Sequence, residues 1–368
     1  MKKYNIPISK PTLTREDRRE ILKCFDSSWI SSKSPYVAKF EKRFSSLVAG
    51  TKYGAAVNSG TSAIFLALKS LGIGQGDEVI IPTLTMIATV NAVKWTGATP
   101  VLIDSTSEND WNMSVEEFQK KISKKTKAVI PVHLYGYPCA MDEITKIAKS
   151  NNIFVIEDAA EAMGSKYKGS KLGSLGDLSC FSLYANKIIT TGNGGFVASN
   201  NEDYINKIKK ISFFDFNKEE HFSHKMMAYN LVMTGLQAAL GLSQLNKFKH
   251  LLSERKRVYR EWEKKLLVEG INFIQPIKSQ NPNYWFPAVL FDNQTKREKM
   301  ERLLTQIGVD NRRFFRPVHL QKLYEEDYKK EKYPNAEHFF EKGLLLPSYS
   351  TLTNKSINDV CKLINENW

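Results

Sequence analysis

The chain lacks the marks of a secreted, membrane-spanning or disulfide-built protein. Its four cysteines, Cys24, Cys139, Cys180 and Cys361, stand apart without metal-ligand spacing, so four free thiols are expected, with neither a disulfide framework nor a metal site. The longest apolar runs, VIIP at 79–82 and IFVI at 153–156, fall far short of the roughly 20 residues that cross a bilayer, so no membrane association is expected. The N-terminal MKKYNIPISKPTLTRED has no apolar core and no small-residue cleavage pattern, which points to a cytoplasmic protein. A Walker lysine and a G-x-G-x-x-G fingerprint are missing, which argues against nucleoside triphosphates and dinucleotides. No zinc finger, ribonucleoprotein motif or basic-leucine pattern is visible, so no nucleic-acid partner is expected.

What is present suits one large domain with a smaller one attached: 368 residues, 42% of them hydrophobic. The net charge of +14 is spread along the chain among Asp and Glu, and suggests an anionic, phosphorylated small substrate. From 53 to about 200, short β-rich runs alternate with segments of helical period, the pattern of a βαβ series with a mainly parallel sheet. Strands are expected at 54–57, 78–81, 100–104, 128–132, 153–157, 179–183 and 195–199. The last three leave little room for crossover helices and predict an antiparallel element. TREDRREILKCF at 14–25 reads as an amphipathic helix opened by a threonine cap. The aromatic stretch 213–229 reads as a packed loop. A long charged helix is expected over about 242–269, and a second α/β segment from about 271 to 368. The expected division is a large domain over 1–250 and a small one over 251–368.

Ligands of open α/β sheets gather at the carboxyl ends of strands, and three such places stand out. NSGTS at 58–62 joins a strand to a helix; Gly60 permits a tight turn, and the N–H groups and hydroxyls of Thr61 and Ser62 form either a phosphate cradle or an ordinary helix cap. IFVIEDAAE at 153–161 ends a buried strand on Asp158, which either pairs with a protonated ring nitrogen or caps the next turn; Glu161 returns to the same face or to solvent. FSLYANKIITTGNGG at 181–195 places Lys187 after an apolar run, as a solvated strand-end charge or as a desolvated amine able to attack an aldehyde. Together these are the parts that pyridoxal 5'-phosphate requires: a phosphate cradle, a ring-nitrogen carboxylate and a reactive amine.

The same residues carry a resemblance. SSWISSKSPYVAKFE, VNSGTSAIFLAL, GDEVIIPTLTMIATVNAVKWTGATPV, TKAVIPVHLYGYPCAMDEI, FVIEDAAEAMGSKYKGSKLGSLGD, FSLYANKIITTGNGGFV and FRPVHL occur in order and at the spacing of the DegT/DnrJ/EryC1/StrS aminotransferases. These fold type I, aspartate aminotransferase-like enzymes install amino groups on nucleotide-linked keto sugars. The resemblance implies an α/β fold with a large, mainly parallel seven-stranded sheet domain and a smaller C-terminal α/β domain. It implies pyridoxal 5'-phosphate as cofactor, glutamate and a nucleotide-linked keto sugar as substrates, and a homodimer with shared active sites. Lys187 becomes the lysine that holds the cofactor covalently and Asp158 the partner of its ring nitrogen. Glu161 lies on the ring-hydroxyl side; Gly60, Thr61 and Ser182 hold the phosphate, with Asn230 reaching in from the second subunit. Gly194 and Gly195 mark a sharp turn near the ring, and His133 lies on the strand before it. Trp29, Arg312 and His319 match segments lining the sugar-nucleotide cleft.

Several positions depart from that pattern. Met86 stands where an aromatic ring would stack on the cofactor, and Val232 and Gly235 replace the arginine and second asparagine of an N-Y-R-M-T-N run. Asn193 replaces the glutamate of G-E-G-G, and Arg313 a proline. These changes imply altered sugar or nucleotide selectivity, or, as a second reading, a pyridoxal phosphate-binding sensor or partner subunit with little activity. Retention of Lys187 implies amino transfer, because a related branch carrying histidine there acts as a dehydratase.

Overall fold

In the computed structural model, which describes residues 5–216 and 222–368, the seven apolar runs form one sheet. Its strands are β1 (Tyr53–Val57), β2 (Glu78–Pro82), β3 (Thr99–Ile103), β4 (Thr126–Val129), β5 (Phe154–Asp158), β6 (Leu178–Ser182) and β7 (Gly195–Ser199). They lie in the order β1-β7-β6-β5-β4-β2-β3. Only β7 runs against its neighbours, pairing antiparallel with β1 and β6, so the carboxyl ends of the other six strands share one edge. The strands are nearly all apolar because helices cover both faces. A loop, not a crossover helix, joins β6 to β7, which is why that pair is antiparallel; the loop carries Lys187.

The first four α-helices are α1 (Arg15–Asp26), α2 (Pro35–Phe44), α3 (Gly60–Ser70) and α4 (Ile87–Trp95), of which α3 and α4 reach the site. Thr14 and Asp17 form a capping box at the start of α1, as the threonine signal suggested. The charged helix expected over 242–269 is two helices, Gly235–Asn246 and Phe248–Lys265. They meet at Lys247, whose backbone leaves helical geometry (φ −100°, ψ 1°) while its amine reaches buried Asp17 at 2.5 Å. Within the expected loop 213–229, residues 217–221 lie outside the described residues; Phe213 pairs with Asn230 across its base. All four cysteines are buried free thiols. No helix among the described residues is long and apolar enough to cross a membrane.

A second, antiparallel sheet takes the order Ile271–Phe273, Ala288–Phe291, Gly343–Leu345, Arg312–Arg313. Alternation along its second strand divides the core: Ala288 and Leu290 face the large sheet's interior, whereas Val289 and Phe291 join Val258, Trp262, Leu304 and Ile357 in a separate core. The small sheet is thereby pressed against the large unit. Trp285, just before that strand, and Arg312, on its edge, come to lie over the carboxyl edge of the large sheet.

Candidate active site

A cavity of about 390 Å³ opens at that edge. Its wall holds Gly60, Thr61, Met86, Asp158, Glu161, Ser182, Lys187 and Arg312, eight of the residues expected from sequence. The Ser59 hydroxyl caps α3 by accepting from the Ser62 N–H at 3.1 Å. The N–H groups of Gly60 and Thr61 have no acceptor among the described residues and remain available at a positive helix end. A Cβ on Gly60 would lie 2.9 Å from the Ser182 Cβ, so the absent side chain lets the helix start sit directly on the Ser182 hydroxyl. Two free amides and two hydroxyls at one helix N-terminus fit a phosphate monoester.

At the cavity floor Asp158, 5% exposed, accepts from Thr89 Oγ1 at 2.8 Å and from the Ala160 N–H at 3.2 Å. Burial raises its pKa, and the hydrogen bonds from Thr89 and the Ala160 N–H, with the Lys187 charge, offset part of that rise. Glu161 accepts from the Tyr135 N–H at 2.8 Å and stands 3.6 Å from the Lys187 amine. Burial pushes its pKa to about 7, against the pull of Lys187. The Lys187 amine is itself lowered, first by burial and further by Arg312, while Glu161 and Asp158 hold it up. A buried lysine flanked by carboxylates, facing a phosphate cradle with an acidic group below, fits an aldehyde-bearing pyridine phosphate.

The glycines after Lys187 serve differently from the sequence expectation. The turn is made at Gly192, with φ +81°. Gly194 and Gly195 avoid positive φ and are required by contact: a Cβ on Gly195 would lie 2.1 Å from the Ser59 carbonyl oxygen, and one on Gly194 would lie 2.3 Å from Thr191 Oγ1. The β7 backbone thus packs against the phosphate turn.

Trp29, Asn230 and His319 are outside this wall. Trp29 is 57% exposed and Asn230 is exposed on the loop beside Phe213. His319 is buried behind the cavity, Nδ1 at 2.8 Å from Thr83 Oγ1 and Nε2 at 3.2 Å from Glu337 Oε1. Both ring nitrogens are engaged, and burial lowers its pKa. His133 also lies deeper: it accepts from the Cys139 N–H at Nδ1, so Nε2 carries the proton offered to Glu157 at 3.1 Å. Val232 lines a separate groove with Glu41 and Lys209. A Cβ on Gly235 would meet Ser34 Cβ at 2.6 Å and the Trp29 carbonyl oxygen at 2.7 Å, so the helix starting there tolerates no larger residue without movement. Asn193 does line the cavity, its carbonyl held by Gln237 Nε2 at 2.7 Å.

Sequence reasoning passed over Thr89, Tyr135 and Trp285, and gave Arg313 only as a departure from the family pattern. Thr89 lay inside an apolar helix pattern, and Tyr135 donates through its backbone. Trp285 and Arg313 enter from the second sheet, about a hundred residues beyond Lys187, where only an aromatic run before a strand marked the place.

Fold and site together define a fold type I, pyridoxal phosphate-dependent aminotransferase. The chain belongs to the DegT/DnrJ/EryC1/StrS aminotransferase family, whose sequence pattern matches residues 11–365. It is 42% identical over 361 residues to a GDP-perosamine synthase of Escherichia coli O157:H7, covering 98% of each chain. A GDP-perosamine synthase of Caulobacter vibrioides is 37% identical over 369 residues, again with 98% of each covered. Among solved structures, S. venezuelae DesV in complex with a ketimine intermediate is 29% identical with a TM-score of 0.89, over 95% of this chain and 94% of that one.

Proposed function

We infer that the chain moves the amino group of glutamate to the keto carbon of a nucleotide-linked 4-keto-6-deoxy sugar, with GDP as the nucleotide. The observation that supports this most is Lys187, buried beside Glu161 and facing both Asp158 and the α3 N-terminus in one cavity. In this reading Gly60, Thr61 and Ser182 hold the phosphate, Asp158 faces the ring nitrogen, Glu161 the ring hydroxyl, and Met86 covers the ring. When bound, pyridoxal phosphate supplies the electron sink that lets an amino acid α-carbon give up its proton. Lys187 would take that proton and return it two atoms along, at the cofactor's former aldehyde carbon; burial, which lowers its pKa, favours the unprotonated amine that this requires. Asp158, dry and hydrogen-bonded by Thr89, stays aimed at a single point. Arg312 lines the cavity without a carboxylate partner among the described residues, suited to an anionic substrate group. Trp29 and His319 border the sugar-nucleotide cleft, His319 from behind Thr83.

The same reading makes the protein a cytoplasmic homodimer in which exposed Asn230 reaches the partner's cavity, with a large domain over 1–250 and a small one over 251–368. Its product feeds a surface polysaccharide such as O-antigen. The GDP-perosamine synthase relatives and the basic balance of +14 support a nucleotide-diphosphate sugar. Protein mixed with pyridoxal phosphate should show an absorption band near the visible edge that Lys187→Ala abolishes. Glutamate should bleach the band, and a panel of GDP-, UDP- and dTDP-linked keto sugars should restore it, the GDP-linked 4-keto sugar fastest. A band that glutamate leaves unchanged removes amino transfer; fastest recovery with another nucleotide removes the GDP assignment.

A further inference from the structure

Lys187 has two neighbours that respond to its charge. Glu161 lies 3.6 Å from the amine on one side, and the ring of Trp285 presents its face, with the centroid 3.9 Å away, on another. Trp285 is 3% exposed and tied at both ends. Its indole N–H donates to the Asn186 carbonyl at 2.9 Å, next in sequence to Lys187, and its backbone N–H donates to Asn283 Oδ1 at 2.9 Å. Asn283 in turn donates to the Glu161 and Met163 carbonyls at 2.8 and 3.1 Å. Phe286 backs the indole at a centroid distance of 4.5 Å. The ring is therefore braced against both the loop that carries Lys187 and the turn that carries Glu161.

We propose that Trp285 is a positioning residue for Lys187, a fixed π face that holds the amine in place when it carries its proton and releases it when it does not. An aromatic face attracts an ammonium and is nearly indifferent to a neutral amine. A lysine side chain released inside a cavity has several rotamers to explore, and a rigid indole narrows them where the proton must be delivered. The other charged groups facing the amine are Glu161 and Asp158, from the end of β5, and Arg312, from the second sheet. Because Trp285 enters from the residues leading into that sheet, the packing of the two units also sets the lysine. The inference rests on Lys187 being the reacting amine.

The test uses the cofactor-free protein. Competitive acetylation with acetic anhydride across a pH series, read at Lys187 by mass spectrometry, gives the pH at which the amine is half reactive. Trp285→Leu should lower that pH by about 0.5–1.5 units, and Trp285→Phe, which keeps a smaller π face, by less. Replacing the six tryptophans with fluorinated tryptophan preserves shape while withdrawing π density, and should move it in the same direction with each added fluorine. A half-reaction pH equal to the parent's in the fluorinated proteins overturns the proposal, and these decide alone if Trp285→Leu does not fold. Survival of the pyridoxal phosphate band in Lys187→Ala would instead overturn the role of Lys187, a separate result.

Discussion

Glu157 and Asp158 are consecutive buried carboxylates on β5, and strand alternation sends them to opposite faces of the sheet. Glu157 accepts from the Gly173, Leu175 and Gly176 N–H groups at 2.8, 2.7 and 2.7 Å and from His133 Nε2 at 3.1 Å. Among the described residues Asp158 accepts from two donors, and its remaining capacity lies at the cavity wall. A carboxylate offers about four acceptor positions. Glu157 is saturated by its own fold and locks the 173–176 turn to the sheet; Asp158 keeps capacity for a ligand. Burial does not separate a structural charge from a chemical one, since both are buried. Unused hydrogen-bonding capacity does.

The comparison breaks if the two residues fail in the same way. Asp158→Asn should lower kcat for glutamate turnover on the order of 10²–10³-fold, the size of losing one preorganised charge in a dry site. The amide oxygen can keep the Ala160 N–H while its NH2 donates to the Thr89 hydroxyl, so the urea unfolding midpoint should hold or rise as a buried charge is removed. Retention of more than a tenth of parent turnover would defeat the assignment. Glu157→Gln should behave oppositely. Its amide would point donors at backbone N–H groups, costing about 3 kcal/mol of unfolding free energy, with kcat little changed in the folded fraction. Undiminished stability in this variant would mean that Glu157 is not the lock.

That division was only half legible in the sequence. Seven apolar runs between helical segments predict seven strands, and all seven form, because each must be buried on both faces and few residue types allow that. The antiparallel β7 was legible from loop length alone. Asp158 stood out as the last residue of its run, and Lys187 as an amine after an apolar one. The partners of Glu157, by contrast, are backbone amides of a turn some twenty residues on, and amides carry no sequence signal. The break at Lys247 was hidden because 242–269 keeps helical composition throughout; the pull comes from Asp17, over two hundred residues away. Trp285 was hidden for the same reason, as its meaning depends on the second sheet packing over the first.

Glu161 sharpens the comparison, being a third buried carboxylate that accepts one hydrogen bond, from the Tyr135 N–H, and otherwise faces the Lys187 amine. Its ordinary pKa of 4.5 rises to about 7 in the folded chain, chiefly through burial. The folded state thus holds a proton that the unfolded chain releases near pH 4.5. Its contribution to stability is complete below that pH and is lost as pH rises towards 7. Unfolding free energy of the cofactor-free protein should therefore fall by on the order of 3 kcal/mol across this window, and Glu161→Gln should flatten that part of the profile. A slope unchanged in the variant would assign it to another group.

Met86 is where the smallest effect is expected. It caps the start of α4 in extended geometry (φ −63°, ψ 137°) and is 49% exposed at the cavity wall. A larger ring there meets solvent before it meets core, so Met86→Phe should fold without repacking. A thioether against a π face contributes about 0.3–1.5 kcal/mol, and an aromatic pair about 0.5–1.5 kcal/mol beyond area burial, so the gain is modest. In a Lys187→Ala background, where pyridoxal phosphate can bind only non-covalently, Met86→Phe should tighten its Kd about 2- to 5-fold by fluorescence titration. Weaker binding would mean that the exposed thioether touches the cofactor less than it shapes the entrance for the sugar, and would move Met86 from the cofactor's wall to the substrate's.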